Sequence, residues 1–125
     1  MGVLFPRLAQ ADARTALLLG DARPSYAALA GACAAHARSL GARGVGPGDR
    51  VAVWTQPHPA TVVALVGNAL AGVVSVPLNP RLGARELEHV LSDADPALVV
   101  AARPDADGAR ATGRPTAPVA ARFDA

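Results

Sequence analysis

The chain has 125 residues, a formal net charge of +2 and an apolar fraction of 51%, of which aromatic residues make up only a small part. This length predicts one domain that buries roughly two-thirds of the surface of its unfolded chain. Scattered arginines and few aromatic side chains argue against a nucleic-acid partner, which would need a basic track and stacking platforms. No apolar run approaches the ~20 residues that span a bilayer, and the N-terminus lacks a signal-peptide pattern. We therefore expect no membrane partner and a cytoplasmic location.

All twelve basic residues are Arg, and the chain contains no Lys. These residues therefore offer no Walker-type phosphate lysine, no Schiff base and no lysine that could stabilise a transferring phosphate. Cys33 is the only cysteine and cannot form an internal disulfide, which fits a reducing compartment. Because Cys33 lies on the apolar face of a predicted helix, we expect a buried and inert thiol.

The first part of the chain predicts a short hairpin followed by a helix. Residues 15–19 have the pattern of a strand, and the Gly-Asp pair at 20–21 is typical of a type II′ turn. The returning strand would end at Pro24, which cannot donate to a ladder. Ser25 is then a suitable N-cap for a helix over about 26–42.

Residues 48–100 predict the core of an α/β domain. Three short aliphatic strands alternate with two helical patterns in this stretch. The strands are predicted at 50–54, 73–76 and 97–100, and the helices at about 59–71 and 83–92. Continuous apolar strands separated by helices are typical of a parallel β-α-β-α-β unit whose strands are covered on both faces. We therefore predict a three-layer fold with a mainly parallel sheet flanked by helices and right-handed crossovers.

The end of the chain has a different composition. We divide the chain into an α/β unit over residues 1–102 and an Ala/Pro/Gly/Arg-rich linker or exit segment over 103–125. Residues 104–118 lack periodicity, which is typical of a mobile linker. A last short strand is predicted at 119–123.

Two loops follow predicted strands, where ligands of open α/β sheets bind. In loop 55–58, His58 could act as a general base or contact a phosphate, but no carboxylate lies near it in sequence and a solvated histidine is favoured. In loop 77–81, Asn79 and Arg81 could contact an anion. A turn-forming Asn79 and a solvated Arg81 are the favoured alternatives.

The other polar groups favour structural roles. The Gly-rich loop 44–49 precedes a strand, whereas a dinucleotide fingerprint follows one and opens a helix. His36 and His89 lie on helix faces without a second ligand at metal spacing, and we expect His89 to be solvated and His36 to be exposed or to face a partner. Asp93 and Asp95 precede a proline, as in an ordinary turn. We therefore assign no catalytic, cofactor-binding or metal-binding residue.

Five segments carry a family resemblance when they are taken in chain order. They are SYAAL at 25–29, GVGPGDRVAV at 44–53, AGVVSVPLNP at 71–80, ELEHVLSD at 86–93 and PALVV at 96–100. Together they resemble the N-terminal part of the adenylate-forming acyl- and aryl-CoA synthetases over residues 15–101. The run that begins at Ala71 is most similar to malonyl-CoA synthetases, which activate malonate or methylmalonate. The resemblance implies that these residues form an incomplete N-terminal subdomain of that fold.

The resemblance also implies the reaction of the complete enzyme. A carboxylate attacks the α-phosphate of ATP with the help of Mg²⁺, and the CoA thiol then displaces AMP from the acyl-adenylate. Family members carry a phosphate loop ending in Lys, together with later adenine, Mg²⁺ and catalytic-lysine segments, and none of these has a counterpart in the 125 residues. We therefore expect this chain alone to bind no ATP, Mg²⁺ or CoA and to form no acyl-adenylate.

Three functions are compatible with these features of the sequence. The chain can be the N-terminal segment of an acyl-CoA ligase of the malonyl- or methylmalonyl-CoA type, truncated or split, whose partner is the remainder of the synthetase or a second chain that supplies it. It can instead be a non-catalytic interaction module that docks through an exposed sheet edge, on a partner or as a homo-oligomer. The third function is a small Rossmann-like nucleotide-binding protein, which the missing glycine fingerprint disfavours.

Overall fold

The computed structural model describes residues 24–104 and 108–119, which form a parallel sheet with helices on both faces. The elements in chain order are α1 (Tyr26–Ala42), β1 (Arg50–Trp54), α2 (Pro59–Ala71), β2 (Val74–Leu78), α3 (Ala84–Ala94), β3 (Leu98–Ala101), a 3₁₀ helix (Ala109–Thr112) and β4 (Thr116–Pro118). The strand order is β2-β1-β3-β4, and the three pairings are parallel. The predicted three-layer α/β fold is confirmed. The hairpin predicted before Ser25 lies outside the described residues.

The central strands β1 and β3 are buried on both faces, because alternate side chains point to opposite sides of a sheet. Four of their side chains pack against α1 and α2: Val51, Val53, Leu98 and Val100. The other four pack in a second cluster that contains Leu91 of α3: Ala52, Trp54, Val99 and Ala101. The two helical layers are therefore held by one pair of strands.

Strand β2 lies at an edge of the described sheet, and the expectation that it would be covered on both faces is wrong. Val74 is 50% exposed, and among the described strands β2 has a neighbour on one side only. The sequence pattern predicted that this strand ends at residue 76, yet Pro77 lies inside β2 and pairs with Val53. An edge strand tolerates proline because one row of its N–H groups has no ladder partner.

Both edges of the described sheet carry a proline. Pro77 lies in β2, and Pro118 lies in β4 at the opposite edge. Proline removes a backbone donor and so weakens the pairing of a further strand with that edge. These edges therefore give little support to docking by strand addition.

The helix boundaries follow local capping chemistry. The Ser25 hydroxyl accepts a hydrogen bond from the amide of Ala28 at 3.1 Å, so the predicted N-cap of α1 is confirmed. Helix α2 ends at Gly72, whose φ of 73° lies in the left-handed region that glycine adopts without strain. Both helices have the bounds expected from the sequence.

The expectation of an irregular linker after β3 is wrong for residues 108–118. This segment contains the 3₁₀ helix and β4, and β4 pairs in parallel with β3. Arg114 joins the segment to α3, with an Nη1 to Asp95 Oδ1 distance of 3.0 Å and an Nη2 to Glu88 Oε1 distance of 3.8 Å. A three-residue strand is too short to show periodicity, which is why the pattern missed it.

Strand β4 lies at Thr116–Pro118, which the sequence pattern assigned to the linker. The strand predicted at 119–123 lies outside the described residues except for Val119. Val119 is no longer in the strand, although its amide still donates to the carbonyl oxygen of Ala101 at 2.9 Å. The division of the chain at residue 102 stays a prediction.

Helices α1 and α2 approach each other most closely at Gly67. A Cβ atom built on Gly67 would lie 2.7 Å from His36 Cδ2 and 3.0 Å from the carbonyl oxygen of Cys33. Both distances are shorter than ordinary van der Waals contact. Gly67 is therefore required for close packing rather than for an unusual backbone conformation.

We expect Gly67→Ala to lower the free energy of unfolding by about 1–3 kcal/mol, the usual cost of overpacking a core. This cost exceeds the ~0.5–1 kcal/mol that alanine gains over glycine inside a helix. Gly31→Ala is the matched control, since Gly31 also lies in a helix and nothing lies within 4 Å of its added Cβ. Urea unfolding followed by circular dichroism measures both, and an equal gain in stability for the two variants would contradict the packing role.

Candidate functional site

A cleft of about 420 Å³ opens beyond the carboxyl ends of β1 and β2. Its lining comes from the two loops that the sequence singled out: Thr55, Gln56 and Pro57 after β1, and Asn79, Pro80 and Arg81 after β2. Neighbouring parallel strands end at the same side of a sheet, which brings the two loops together. The Gly-rich loop 44–49 leads instead into the amino end of β1, as expected of a connector.

Hydrogen bonds hold the loop after β1 in place. The amide and hydroxyl of Thr55 both donate to the carbonyl oxygen of Leu78, at 3.0 and 2.9 Å, and so join the ends of β1 and β2. The Thr61 hydroxyl accepts from the amide of Gln56 at 3.1 Å and donates to the carbonyl oxygen of Gln56 at 2.8 Å. One wall of the cleft is therefore tied to both β2 and α2. The sequence pattern did not reveal the structural roles of Thr55 and Thr61. Their positions, one just after a predicted strand and the other at the beginning of the next helix, were an available signal.

The loop after β2 is closed by Asn79. Its Oδ1 accepts a hydrogen bond from the amide of Arg81 at 2.9 Å, so the favoured assignment of Asn79 to a turn is confirmed. Arg81 is exposed, as expected. No carboxylate of the described residues lies within ion-pair distance of its guanidinium. The cleft thus carries one arginine whose charge is not neutralised by a described neighbour.

His58 is a helix cap and does not line the cleft. Its Nδ1 accepts a hydrogen bond from the amide of Ala60 at 3.0 Å, at the beginning of α2. In a neutral imidazole this leaves Nε2 as the donor, so the ring nitrogen that could take up a proton is already engaged. The contact assigns His58 to helix capping and gives no support to a role as general base.

Cys33 is fully buried, as predicted, and burial raises the pKa of its thiol to about 11. A neutral buried thiol is a poor nucleophile, because the thiolate is the reactive form. The burial of Cys33 and the raised pKa of its thiol therefore both support the prediction of an inert cysteine on the inner face of α1.

The expectation that His36 is exposed or faces a partner is wrong. Its side chain is 4% exposed, and its Nε2 lies 2.8 Å from Asn68 Oδ1. The Asn68 amide nitrogen donates in turn to the Ser75 hydroxyl at 3.0 Å. Helical spacing places His36 on the same face as Cys33, but its partner Asn68 lies 32 positions away and could not be inferred from the sequence.

The remaining candidates are structural or solvated. His89 is exposed, as expected. Asp95 ends α3 with a φ of 44° and pairs with Arg114, and Asp93 lies in the last turn of α3. In the described part of the chain, no three His, Cys, Asp or Glu side chains lie close enough together to hold a metal ion. No helix of the described residues is both long and apolar enough to cross a bilayer.

Comparisons with known proteins agree with the fold. The AMP-binding enzyme family matches residues 5–122. Feruloyl-CoA synthase of Amycolatopsis sp is 43% identical over 86 residues, which cover 69% of this chain and 18% of the relative. A malonyl-CoA ligase, solved as a ternary product complex with methylmalonyl-CoA and AMP, is 40% identical, with a TM-score of 0.75 over 97% of this chain and 26% of that one.

A third similarity concerns an isolated subdomain. The N-terminal subdomain of NpsA from Klebsiella oxytoca, in complex with anthranilyl-AMSN, has a TM-score of 0.73 and 26% identity over 81% of this chain and 27% of that one. This chain thus spans about a fifth to a quarter of the length of the proteins it matches. On the match across nearly all of its length, the chain belongs to the AMP-binding enzyme family and corresponds to the N-terminal part of the adenylate-forming ligases.

Proposed function

We propose that this chain is the N-terminal segment of an ATP-dependent acyl-CoA ligase. The observation that carries the proposal is the family match over residues 5–122, which coincides with the α/β unit and its cleft. In the complete enzyme a carboxylate and ATP would form an acyl-adenylate and pyrophosphate, and CoA would then displace AMP. The segment would act as the scaffold of that site, with residues from the remainder of the enzyme as its partner.

Within this class we propose malonate or methylmalonate as the acid. The support is 40% identity to the malonyl-CoA ligase over almost the whole chain. Ferulate is the competing acid, because the feruloyl-CoA synthase is 43% identical over a shorter stretch. None of the described cleft side chains is an aromatic or large aliphatic residue that would select between these acids, so the choice needs a direct measurement.

Arg81 is the cleft residue that we propose to contact substrate. It is exposed, lies beyond the carboxyl ends of the strands and has no described carboxylate beside it. A guanidinium in this position suits a phosphate oxygen, since it presents several N–H donors in a fixed fork. Both ATP and CoA carry phosphates, and separate titrations of the two substrates distinguish them.

A chimera tests the proposed scaffold role. We expect residues 5–122, substituted for the matching segment of the malonyl-CoA ligase, to support malonate-dependent pyrophosphate release and malonyl-CoA formation. The same segment placed in the feruloyl-CoA synthase is the comparison for acid choice. Loss of both activities in soluble, folded chimeras would contradict the scaffold role. Activity with ferulate alone would overturn the malonate proposal and leave the ligase proposal standing.

Substitution of Arg81 in the active chimera tests the phosphate contact. We expect Arg81→Ala to raise KM for either CoA or ATP about 10-fold or more, since a charge-assisted hydrogen bond contributes about 1.5–3 kcal/mol. Arg85→Ala is the matched control, because Arg85 is equally exposed on α3 and does not line the cleft. Equal kinetic constants for the two variants would remove Arg81 from the substrate site.

The isolated 125-residue chain provides a separate test. We expect no pyrophosphate release with malonate, ATP and Mg²⁺, because the chain has no lysine to stabilise the transferring phosphate. A coupled pyrophosphate assay with the full-length malonyl-CoA ligase as positive control measures this. Turnover by the isolated chain would contradict the assignment of the chemistry to residues outside it.

A further inference from the structure

We propose that His36, Asn68 and Ser75 form an acid-sensitive latch that holds α1 and the edge strand β2 against α2. In this proposal the addition of one proton to His36 releases α1 from α2 and, through Asn68, loosens β2. The latch lies on the face of the sheet covered by α1 and α2 and shares no residue with the cleft. It is therefore independent of the proposed ligase function.

The hydrogen bonds of the latch have defined directions. Asn68 Oδ1 can only accept, so His36 Nε2 carries the hydrogen in the bond of 2.8 Å that joins them. The amide nitrogen of Asn68 then donates to the Ser75 hydroxyl over 3.0 Å. With Nε2 already protonated, an added proton can enter only at Nδ1, and His36 becomes a cation. The latch thus links one titratable group on α1 to the edge of the sheet through a single buried amide.

Among the described residues, the helices and strands that pack around His36 offer no counter-charge for that cation. No Asp or Glu is present in α1, α2, β1 or β2. The ionisable groups of α1 are Tyr26, Cys33 and Arg38, and of these Cys33 is a buried neutral thiol and Arg38 an exposed cation. Helix α2 and strand β2 carry no ionisable side chain, and β1 contributes only the exposed Arg50. Protonation would therefore bury an unpaired charge, which is strongly unfavourable.

Close packing of α1 against α2 encloses most of His36, which is 4% exposed. His36 Cδ2 lies so near the bare backbone of Gly67 that a Cβ there would be 2.7 Å away, and Asn68 is fully buried. A charge on His36 would therefore keep little of the hydration that it has in the unfolded chain unless α1 moves away from α2. Burial lowers the pKa of His36 below its usual value, and the hydrogen bond with Asn68 opposes this in part. The close packing and the lowered pKa of His36 thus both predict that acid weakens the contact between α1 and α2.

The direction of the pH effect follows from the two states of His36. In the unfolded chain the imidazole takes up its proton near pH 6.5, whereas in the folded chain it does so only at a lower pH. The stability that neutral His36 contributes is therefore complete above the unfolded pKa. It is lost as the pH falls from there towards the folded pKa. Within that window the unfolding equilibrium constant rises by at most about tenfold per pH unit for a single proton.

Unfolding of the 125-residue chain by urea between pH 8 and pH 5 tests the latch. We expect wild type to lose stability below pH 6.5 and His36→Gln to lose less over the same range, because glutamine can donate to Asn68 but takes up no proton. His89→Gln is the matched control, since His89 is exposed on α3. We expect it to retain the wild-type slope. The same pH slope in wild type and His36→Gln would overturn the proposal.

Asn68→Asp serves as a second variant if His36→Gln fails to fold. A carboxylate in place of the amide pairs with protonated His36, so we expect the loss of stability between pH 6.5 and 5.5 to shrink or reverse. In wild type, the His36 imidazole signals in a proton NMR titration should change at lower pH than the histidine signals of the urea-unfolded chain. Titration of His36 at the pH of the unfolded chain would overturn the proposal even without a variant.

Hydrogen exchange distinguishes a latch from general acid unfolding. At a pH within the window, we expect the amides of residues 74–78 to lose protection at least several-fold more than those of β3. Ser75→Ala removes the hydrogen bond that links Asn68 to β2. We therefore expect this variant to reduce the selective loss of amide protection in β2 at low pH. Equal loss of protection in β2 and β3 would show that acid acts on the whole domain and would overturn the link to the edge strand.

Discussion

The structure depends on the burial of β1 between β2 and β3. Residues Val51 to Trp54 are all buried, and their alternating side chains supply the centre of both apolar clusters. Burial of one Val or Leu side chain contributes about 1.5–3 kcal/mol, so a strand buried on both faces is a main source of stability in a domain of this size. Because β1 has no polar face, both sides of the sheet must be covered, and α1, α2 and α3 supply that cover.

The position of the cleft follows from the same strand. The chain goes from β1 to β2 on one side and then crosses to β3 on the other, so the helices of the two crossovers lie on opposite faces. The strands are parallel, and their carboxyl ends lie together. The loops that leave β1 and β2 at this side are the ones that Thr55 and Asn79 fix by hydrogen bonds. The scaffold therefore places Arg81 at the cleft. Among the described residues, no Asp, Glu or Arg is buried in the core.

The contact between α1 and α2 is made in a different way. Here two polar side chains, His36 and Asn68, are buried among aliphatic residues and satisfy each other. A buried polar group without a partner costs roughly 1–3 kcal/mol, so the pair specifies one relative position of the two helices. Gly67 permits the close approach that this hydrogen bond requires. Helix packing in this layer therefore includes a buried hydrogen bond in addition to apolar contacts.

The sequence by itself determined the order of the elements from α1 to β3, the bounds of α1, β1 and α2, and the family. Those features depend on local patterns: helical periodicity, continuous aliphatic runs, Ser25 as a cap and Gly72 as a stop. Tertiary structure alone decided that β2 is an edge strand of the described sheet and contains Pro77, that Thr116–Pro118 pairs with β3 and that His36 is buried. Each of these depends on a partner distant in the sequence, namely Val53, β3 or Asn68. Local propensity carries no information about such partners, because strand pairing and buried polar contacts are settled only when the layers pack.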